Sequence, residues 1–524
     1  MVNIIDPRVT VAGYGPTLTL PSGRVLTPDE LVRAAARITF KGMDAFEKAL
    51  EEEESEKVLK GIISSAGRGH ASMGTTPGLW YILGGTCSKF VDSMFTSARF
   101  GSFIVPSGRR TDTAEEDIVV PRTIAENTEA LGSYMPDSKA NIAAYHEFQK
   151  RGVPKQQAAK IVQYGHEGGG FMFMPLETVV GFAKDAQDNE FFPAEGKKVI
   201  AQLENFFHEN GMGKIYEARK AAPRSGCPNP CIFHNRVNFA QELMDRNEQN
   251  ILHKPVLLHH FNLYSEERDD RISEWIEERD RVLSSPESIK AEWPDLLRKL
   301  EHLVGDFNNT NGAVTGANTP WRIWGEVKRH RTLLQTAESI YHAIDRASES
   351  IKKWGSHPYT DLTAVREVFT PVVSLPGEIE TNPQNLSLWL ERFTDSIKAY
   401  EKLVECGIPK SDAIAVIPRG LKFGVVKTYD LYNRLTGYAS LRLCSTAEPE
   451  IQAITRAEMN LISQADRTSL IEKLVTPKCC YVGFCPEPEF CGTIVEQVPF
   501  YDAERHSEMN SQRAQQIRGR LSQS

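Results

Sequence analysis

Several familiar signals are missing from this 524-residue chain. Basic charge is not in excess: Lys and Arg number 61 against 69 Asp and Glu, for a formal net charge of -8. A general nucleic-acid binder shows a basic domain or stripe, and none is present. No window approaches the roughly 18 apolar residues that a membrane span needs. The start, "MVNIIDPRVTVAGYG", lacks the basic opening and apolar run of a secretory signal. These absences lead us to expect a cytoplasmic protein with neither a nucleic-acid nor a membrane partner. Its nine cysteines then read as thiols or metal ligands rather than disulfides. A P-loop is also missing: "YGHEGGGF" (residues 164–171) is Gly-rich but has no Lys-Ser/Thr end, so it reads as a loosened loop.

What is there is an internal repeat. "VPRTI" at 120–124 is echoed by "LPGEI" at 375–379, and "YHEFQKRGVPKQQAAKIV" at 145–162 by "YEKLVECGIPKSDAIAVI" at 400–417. Both pairs are 255 residues apart, 375 minus 120 and 400 minus 145. Each copy reads as a short extended piece, an amphipathic helix, a Gly-(Val/Ile)-Pro break and a new helix start. Gly suits the left-handed position after a helix and Pro the opening of the next. The length permits two to four domains, and we expect residues 1–240 as one, 241–300 as a helical connector and 301–524 as a second. Trp275, Ile276 and Val282, dotted among charges, suggest surface helices in the connector.

A third feature is "GEVKRHRTLLQTAES" at 325–339, where Lys328, Arg329, His330 and Arg331 stand side by side. Adjacent cations repel unless an anion sits among them. By spacing alone a solvated helix end is the favoured account of them. Trp321, Trp324 and Val327 ahead of them have helical spacing, which fits a core stripe anchoring the basic segment.

These residues carry a resemblance. Arg329-His330-Arg331, seven residues and Ser339 are similar to the R-H-R-x7-S signature of the flavin-dependent thymidylate synthase family. Other segments follow in the family's order. "LVRAAARITF" at 31–40 resembles its N-terminal helix, which ends in a small hydroxyl residue, here Thr39. "GHASMGTT" at 69–76 resembles its Gly-His turn, with His70 and Ser72. "SARFGSFIVPSGRR" at 97–110 occupies the signature's place in the first repeat and ends in the family's Ser107-Gly108-Arg109. "LRLCSTAEPEIQ" at 441–452 resembles a late helix that carries Arg442.

The resemblance implies an α+β fold of two tandem thymidylate synthase-like domains, each a twisted, mainly antiparallel sheet with flanking helices. It also implies methylation of a uracil nucleotide, dUMP to dTMP or a close variant, with FAD as cofactor. A methylene-folate would be the carbon donor and NAD(P)H the reductant. Arg329, His330 and Arg331 would bind flavin, helped by Ser72, Thr39, Arg99 and Asn433. Ser107, Gly108, Arg109, Ser339 and Arg442 would bind substrate, and His70, Arg109, Ser339 and Arg442 would serve catalysis. The repeats divide these roles. The first keeps Ser107-Gly108-Arg109 but has Ser97-Ala98-Arg99 in place of R-H-R. The second keeps R-H-R and Ser339 but continues with Ile340-Tyr341 in place of Gly-Arg. One composite site drawing on both repeats is therefore expected, in a homodimer that builds the family's tetramer-like core. The chain departs from the pattern at Ala159 and Ile414, where the family has a phosphate-binding Arg, and at Arg434, one residue out of register with the family's Asn-x-Arg. A non-catalytic flavin- or nucleotide-binding paralogue or scaffold is the alternative.

The cysteine tails leave a choice open. Cys227, Cys231 and His234, with Cys479, Cys485 and Cys491, have thiolate-site chemistry for structural zinc, but their spacings are not those of zinc fingers; buried thiols are the other reading. His259 and His260 are adjacent on an expected strand in "HKPVLLHHF" (253–261) and so point to opposite faces.

Overall fold

Local sequence signals set the elements of the computed structural model. It describes all residues except 1, 52–54, 107–111, 224–228, 237–238, 246–253, 264, 467–469, 499 and 523–524. Two four-stranded sheets share one strand order. In the first, β1 (Asp6–Gly15), β2 (Gly78–Thr86), β3 (Ser102–Ile104) and β4 (Gly170–Pro175) lie in the order β1-β2-β4-β3, with every neighbour antiparallel. In the second, β5 (Val256–Asn262), β6 (Asn311–Pro320), β7 (Leu334–Ala337) and β8 (Lys422–Tyr429) lie in the matching order β5-β6-β8-β7. Alternation decides the faces of β2: Leu79, Tyr81 and Leu83 are buried while Trp80 and Ile82 are exposed. A mixed fold of helices and antiparallel sheets is what the sequence implied.

Helices α1 (Lys89–Phe95), α2 (Thr128–Lys150), α3 (Trp321–Val327), α4 (Ile340–Trp354) and α5 (Pro383–Glu405) frame the repeat. Asn127 and Asn382 cap α2 and α5 with side-chain oxygens, satisfying amides that have no partner in the first turn. Gly152 and Gly407 follow at φ 84° and 83°, the left-handed region that only Gly enters without strain. Pro154 and Pro409 then stand at the N-caps of the next short helices.

The two copies also meet residue against counterpart. Helices α2 and α5 pack together, and Asn141 donates to Ser396 Oγ at 2.8 Å across a separation of 255. Gln163 and Pro418, equally separated, form an antiparallel bridge. Around it the hydrogen bonds come in matched pairs. Tyr164 N donates to Ile417 O (3.1 Å) and Arg419 N to Val162 O (3.0 Å); Gly165 N donates to Ala415 O and Gly420 N to Lys160 O, both at 2.7 Å. This is the pattern of a local twofold axis.

By compactness the chain forms two units. One comprises Met1–Phe239, Thr319–Arg331 and Ala337–Gly424; the other comprises Ala240–Asn318, Thr332–Thr336 and Val425–Ser524. These differ from the expected boundaries of 1–240, 241–300 and 301–524, because 375–417 pairs with the first repeat instead of forming its own core. The connector differs too. Ile272, Trp275 and Val282 are buried in the apolar core of the second unit, and Trp275 Nε1 donates to Leu296 O at 2.9 Å. No helix among the described residues is long and apolar enough to cross a membrane.

Candidate functional site

The basic segment leaves α3, whose buried Trp321, Trp324 and Val327 form the stripe that their spacing implied. Its four basic side chains have different fates. Lys328 is 5% exposed; its ammonium donates to the Ser93 carbonyl and, at 3.2 Å, to Ser93 Oγ, and lies 4.8 Å from the Trp324 ring centre. Trp321 Nε1 donates to the same hydroxyl at 3.1 Å. Lys328 is therefore a structural clamp. Arg331 is half-buried: its Nε donates to Ala98 O at 3.3 Å, and its guanidinium lies 5.0 Å from the Phe103 ring centre. Burial, and then the charge of Arg329, hold its pKa below the usual Arg value. Arg329 is exposed and His330 partly so. Among the described residues neither Arg329 nor Arg331 has a carboxylate partner.

The platform under Arg331 is the first repeat's own version of the segment. Ala98 stands where the second repeat has His330, between Ser97, which is buried, and Arg99, which is partly exposed. The reduced segment of one repeat thus supports the intact segment of the other.

The acid-hydroxyl pair after the segment has a structural explanation. Glu338 forms an ion pair with Arg346 and accepts from Gly424 N at 2.8 Å. Ser339 is fully buried; it caps α4 by accepting from Tyr341 N at 3.3 Å and donates to His234 O. The Ser339 hydroxyl, expected at the substrate, is engaged in these two bonds within the protein.

The other expected residues are placed as follows. His70 and Ser72 are exposed on a turn entered through Gly69 at φ 110°. Beneath it lies a feature the sequence reading missed. Arg219, fully buried, grips Glu177 with two bonds of 2.8 and 2.7 Å and donates a third to Ala66 O at 2.9 Å. A Cβ on Gly74 would come within 2.2 Å of the Glu177 carboxylate. No sequence spacing announces this pair, because its members come from distant helices. Neither His70 nor Ser72 has a hydrogen bond or ion pair to Arg329 or Arg331 among the described residues. Thr39 is exposed and Arg442 partly so. Asn433, expected at the flavin, is buried and bonded to Asp430 at 2.8 Å and to Thr332 at 3.1 Å. Arg434 bonds to Asn311 inside the second unit, where burial lowers its pKa to about 10. Ser107, Gly108 and Arg109 lie outside the described residues.

Of the two readings of the cysteine tails, structural zinc is not supported. Among the described residues no group of three or more His, Cys, Asp or Glu side chains is placed to hold a metal. Cys479 and Cys485 belong to an apolar core; burial pushes the Cys231 thiol up to about 12 and His234 down to about 4. Cys491 is partly exposed, and Cys227 lies outside the described residues. His259 is exposed while His260 Nε2 approaches Asp466 at 3.7 Å, which agrees with opposite faces. The Gly-rich stretch is tight, not loosened: Cβ atoms on Gly168, Gly169 and Gly170 would come within 2.5, 2.4 and 2.5 Å of backbone oxygens.

A family model described as thymidylate synthase complementing protein matches residues 24–179 and 313–466. Two matched segments fit a duplication. The flavin-dependent thymidylate synthase of Thermococcus onnurineus is 26% identical over 117 residues, or 22% of this chain and 47% of that protein. The protein of that name from Pyrococcus abyssi is 27% identical over 117 residues, or 22% and 48%. The chain thus spans about half the length of these curated relatives. Among solved structures, the UMP/dUMP methylase PolB from Streptomyces cacaoi bound with 5-Br dUMP aligns at 15% identity and TM-score 0.33, over 42% of this chain and 98% of that one.

Proposed function

The chain belongs to the thymidylate synthase complementing protein family, and on that premise we propose that it methylates the uracil ring of a uridine nucleotide by flavin-dependent chemistry. The observation that carries this reading is the sorting of the basic side chains at 328–331. Lys328 is tied to Ser93, while Arg329 is exposed and Arg331 lies beside it without a carboxylate partner among the described residues. Planar guanidinium groups left in that state suit the phosphates of FAD, which would be held by paired, charge-assisted hydrogen bonds. Bound there, the flavin supplies the hydride that completes a methyl group.

The chain's own residues bind and orient. Arg329, His330 and Arg331 hold the cofactor; Arg99, Ser72 and Thr39 are further flavin contacts, with His70 towards the ring end. Arg442 and, from the sequence alone, Arg109 neutralise the nucleotide phosphate or polarise a uracil carbonyl, placing positive charge where negative charge develops. Ser107 and Gly108 complete the substrate side. Ser339 acts by capping α4, and Asn433 by fixing its own helix start. The site is composite, with the second repeat's R-H-R resting on the first repeat, and the chain is a duplicated form that assembles as a homodimer. The methyl carbon comes from a methylene-folate and the electrons from NAD(P)H.

Commitment of Ser339 and Asn433 to the protein interior also favours a second reading, a paralogue that binds flavin or nucleotide without catalysis. A flavin spectrum of the purified protein, with and without added dUMP, separates the two. Bound flavin whose absorption shifts with dUMP, followed by methyl transfer when folate and NADPH are supplied, is the expected result. A shift without turnover means the binder. In either case Arg329→Ala with Arg331→Ala should abolish flavin retention in a chain that still folds, as circular dichroism would show. Flavin retained by that variant overturns the assignment.

A further inference from the structure

Where α2 crosses α5, positions 255 residues apart face each other. On a twofold axis between identical chains, each such residue would meet its own copy. Here the facing residues differ. Position 137 is Asp and its counterpart 392 is Arg; position 141 is Asn and its counterpart 396 is Ser. Arg392 Nη1 lies 3.8 Å from Asp137 Oδ1, Ser396 donates to Asp137 Oδ2 at 2.8 Å, and Asn141 bridges to Ser396 at 2.8 Å and to Asp137 at 3.4 Å. Asp137, Asn141 and Ser396 are all buried; Arg392 also reaches Asp395 on its own helix.

We propose that this cluster is a pairing determinant: Asp137 and Arg392, backed by Asn141 and Ser396, make α2 accept α5 and reject a second α2. The alternative it excludes is an exchange between chains that sets like repeats together. That arrangement buries carboxylate against carboxylate in one contact and guanidinium against guanidinium in the other, and repulsive elements of this kind give specificity. Stability alone does not explain the cluster. Burial pushes the Asp137 carboxyl up to about 6 in spite of Arg392, and Asn141 Oδ1 has no hydrogen-bond partner among the described residues. Buried ion pairs often add little to stability and serve to select one arrangement. The consequence for function is direct. Pairing unlike repeats sets the intact R-H-R on the reduced segment at Ala98, so the cluster guarantees the composite platform at every site.

The test uses full-length chains and does not depend on activity. Asp137→Arg and Arg392→Asp each place like charges at the crossing within one chain, whereas a chain of each kind, exchanged, restores opposite charges. Each single variant is unfolded in urea and refolded both alone and together with the other; co-refolding is expected to raise the thermal midpoint above that of either variant refolded alone, a gain that ordinary homodimer formation does not mimic. The swapped chain, Asp137→Arg with Arg392→Asp, should recover most of the thermal midpoint lost by each single variant. The proposal is overturned if co-refolding gives no gain in midpoint over the separate variants, or if the swapped chain is as unstable as the single variants.

Discussion

Four neighbouring basic residues look alike in a string of letters and differ in what surrounds them. Lys328 is desolvated, and the Ser93 carbonyl depends on it as a donor. Removing one partner of a buried hydrogen bond costs about 1–3 kcal/mol, whereas an exposed side chain away from such contacts is worth about 0.5 kcal/mol or less. Lys328→Ala should therefore lower the urea unfolding free energy by about 1–3 kcal/mol, and Arg329→Ala by less than about 0.5 kcal/mol. Equal losses would contradict the division of roles drawn between them. The sequence made the cluster visible, and its resemblance to the family signature is what suggests a phosphate-bearing ligand. It did not show that Lys328 is buried, because burial depends on Ser93, some 235 positions away.

At the scale of elements, equivalent glycines show how far the local symmetry extends. Gly165 and Gly420 make matched backbone bonds across the axis. An added Cβ on Gly165 would lie 2.0 Å from Tyr134 Oη and 2.6 Å from Ala415 O, whereas on Gly420 the nearest atom is Lys160 O at 3.1 Å. Tyr134 stands where the second repeat has Trp389, and each donates to an equivalent carbonyl, Val119 O at 2.7 Å and Ser374 O at 2.9 Å. Overpacking a tight site costs about 1–3 kcal/mol. Gly165→Ala should thus depress the thermal midpoint by several degrees and Gly420→Ala clearly less, as differential scanning fluorimetry would show; the reverse order would refute the close approach to Tyr134. The caps and breaks of α2 and α5 were readable beforehand because they follow from adjacent residues. Strand β6 was not: "NGAVTGANTP" is polar and Gly-rich in composition, yet it is covered on both faces, and only its neighbours in the sheet make it a strand.

Across the whole molecule, stability against pH reflects buried groups that the site does not use. Glu195 is buried, accepts from Ser88 N and Oγ at 2.8 and 2.6 Å, and burial raises its pKa to about 8. A carboxyl whose pKa is higher folded than unfolded favours the fold most below the unfolded value, and loses that contribution as pH rises through the folded one. Glu195→Gln keeps an acceptor for Ser88 and removes the titration. Between pH 5 and 8 the parent should lose stability relative to this variant by up to about 1.4 kcal/mol per pH unit. Parallel urea curves at the two pH values would show that Glu195 does not titrate in this window.

The sequence by itself determined the signature, the repeat with its constant spacing, and the capped helices that carry it, since each is written in neighbouring residues and obeys local backbone rules. Tertiary structure alone decided which cations stay available to a ligand, that the connector helices are core, and that Asp137 faces Arg392. Those outcomes depend on desolvation and on contacts between residues hundreds of positions apart, and such energies are set by what the fold brings together.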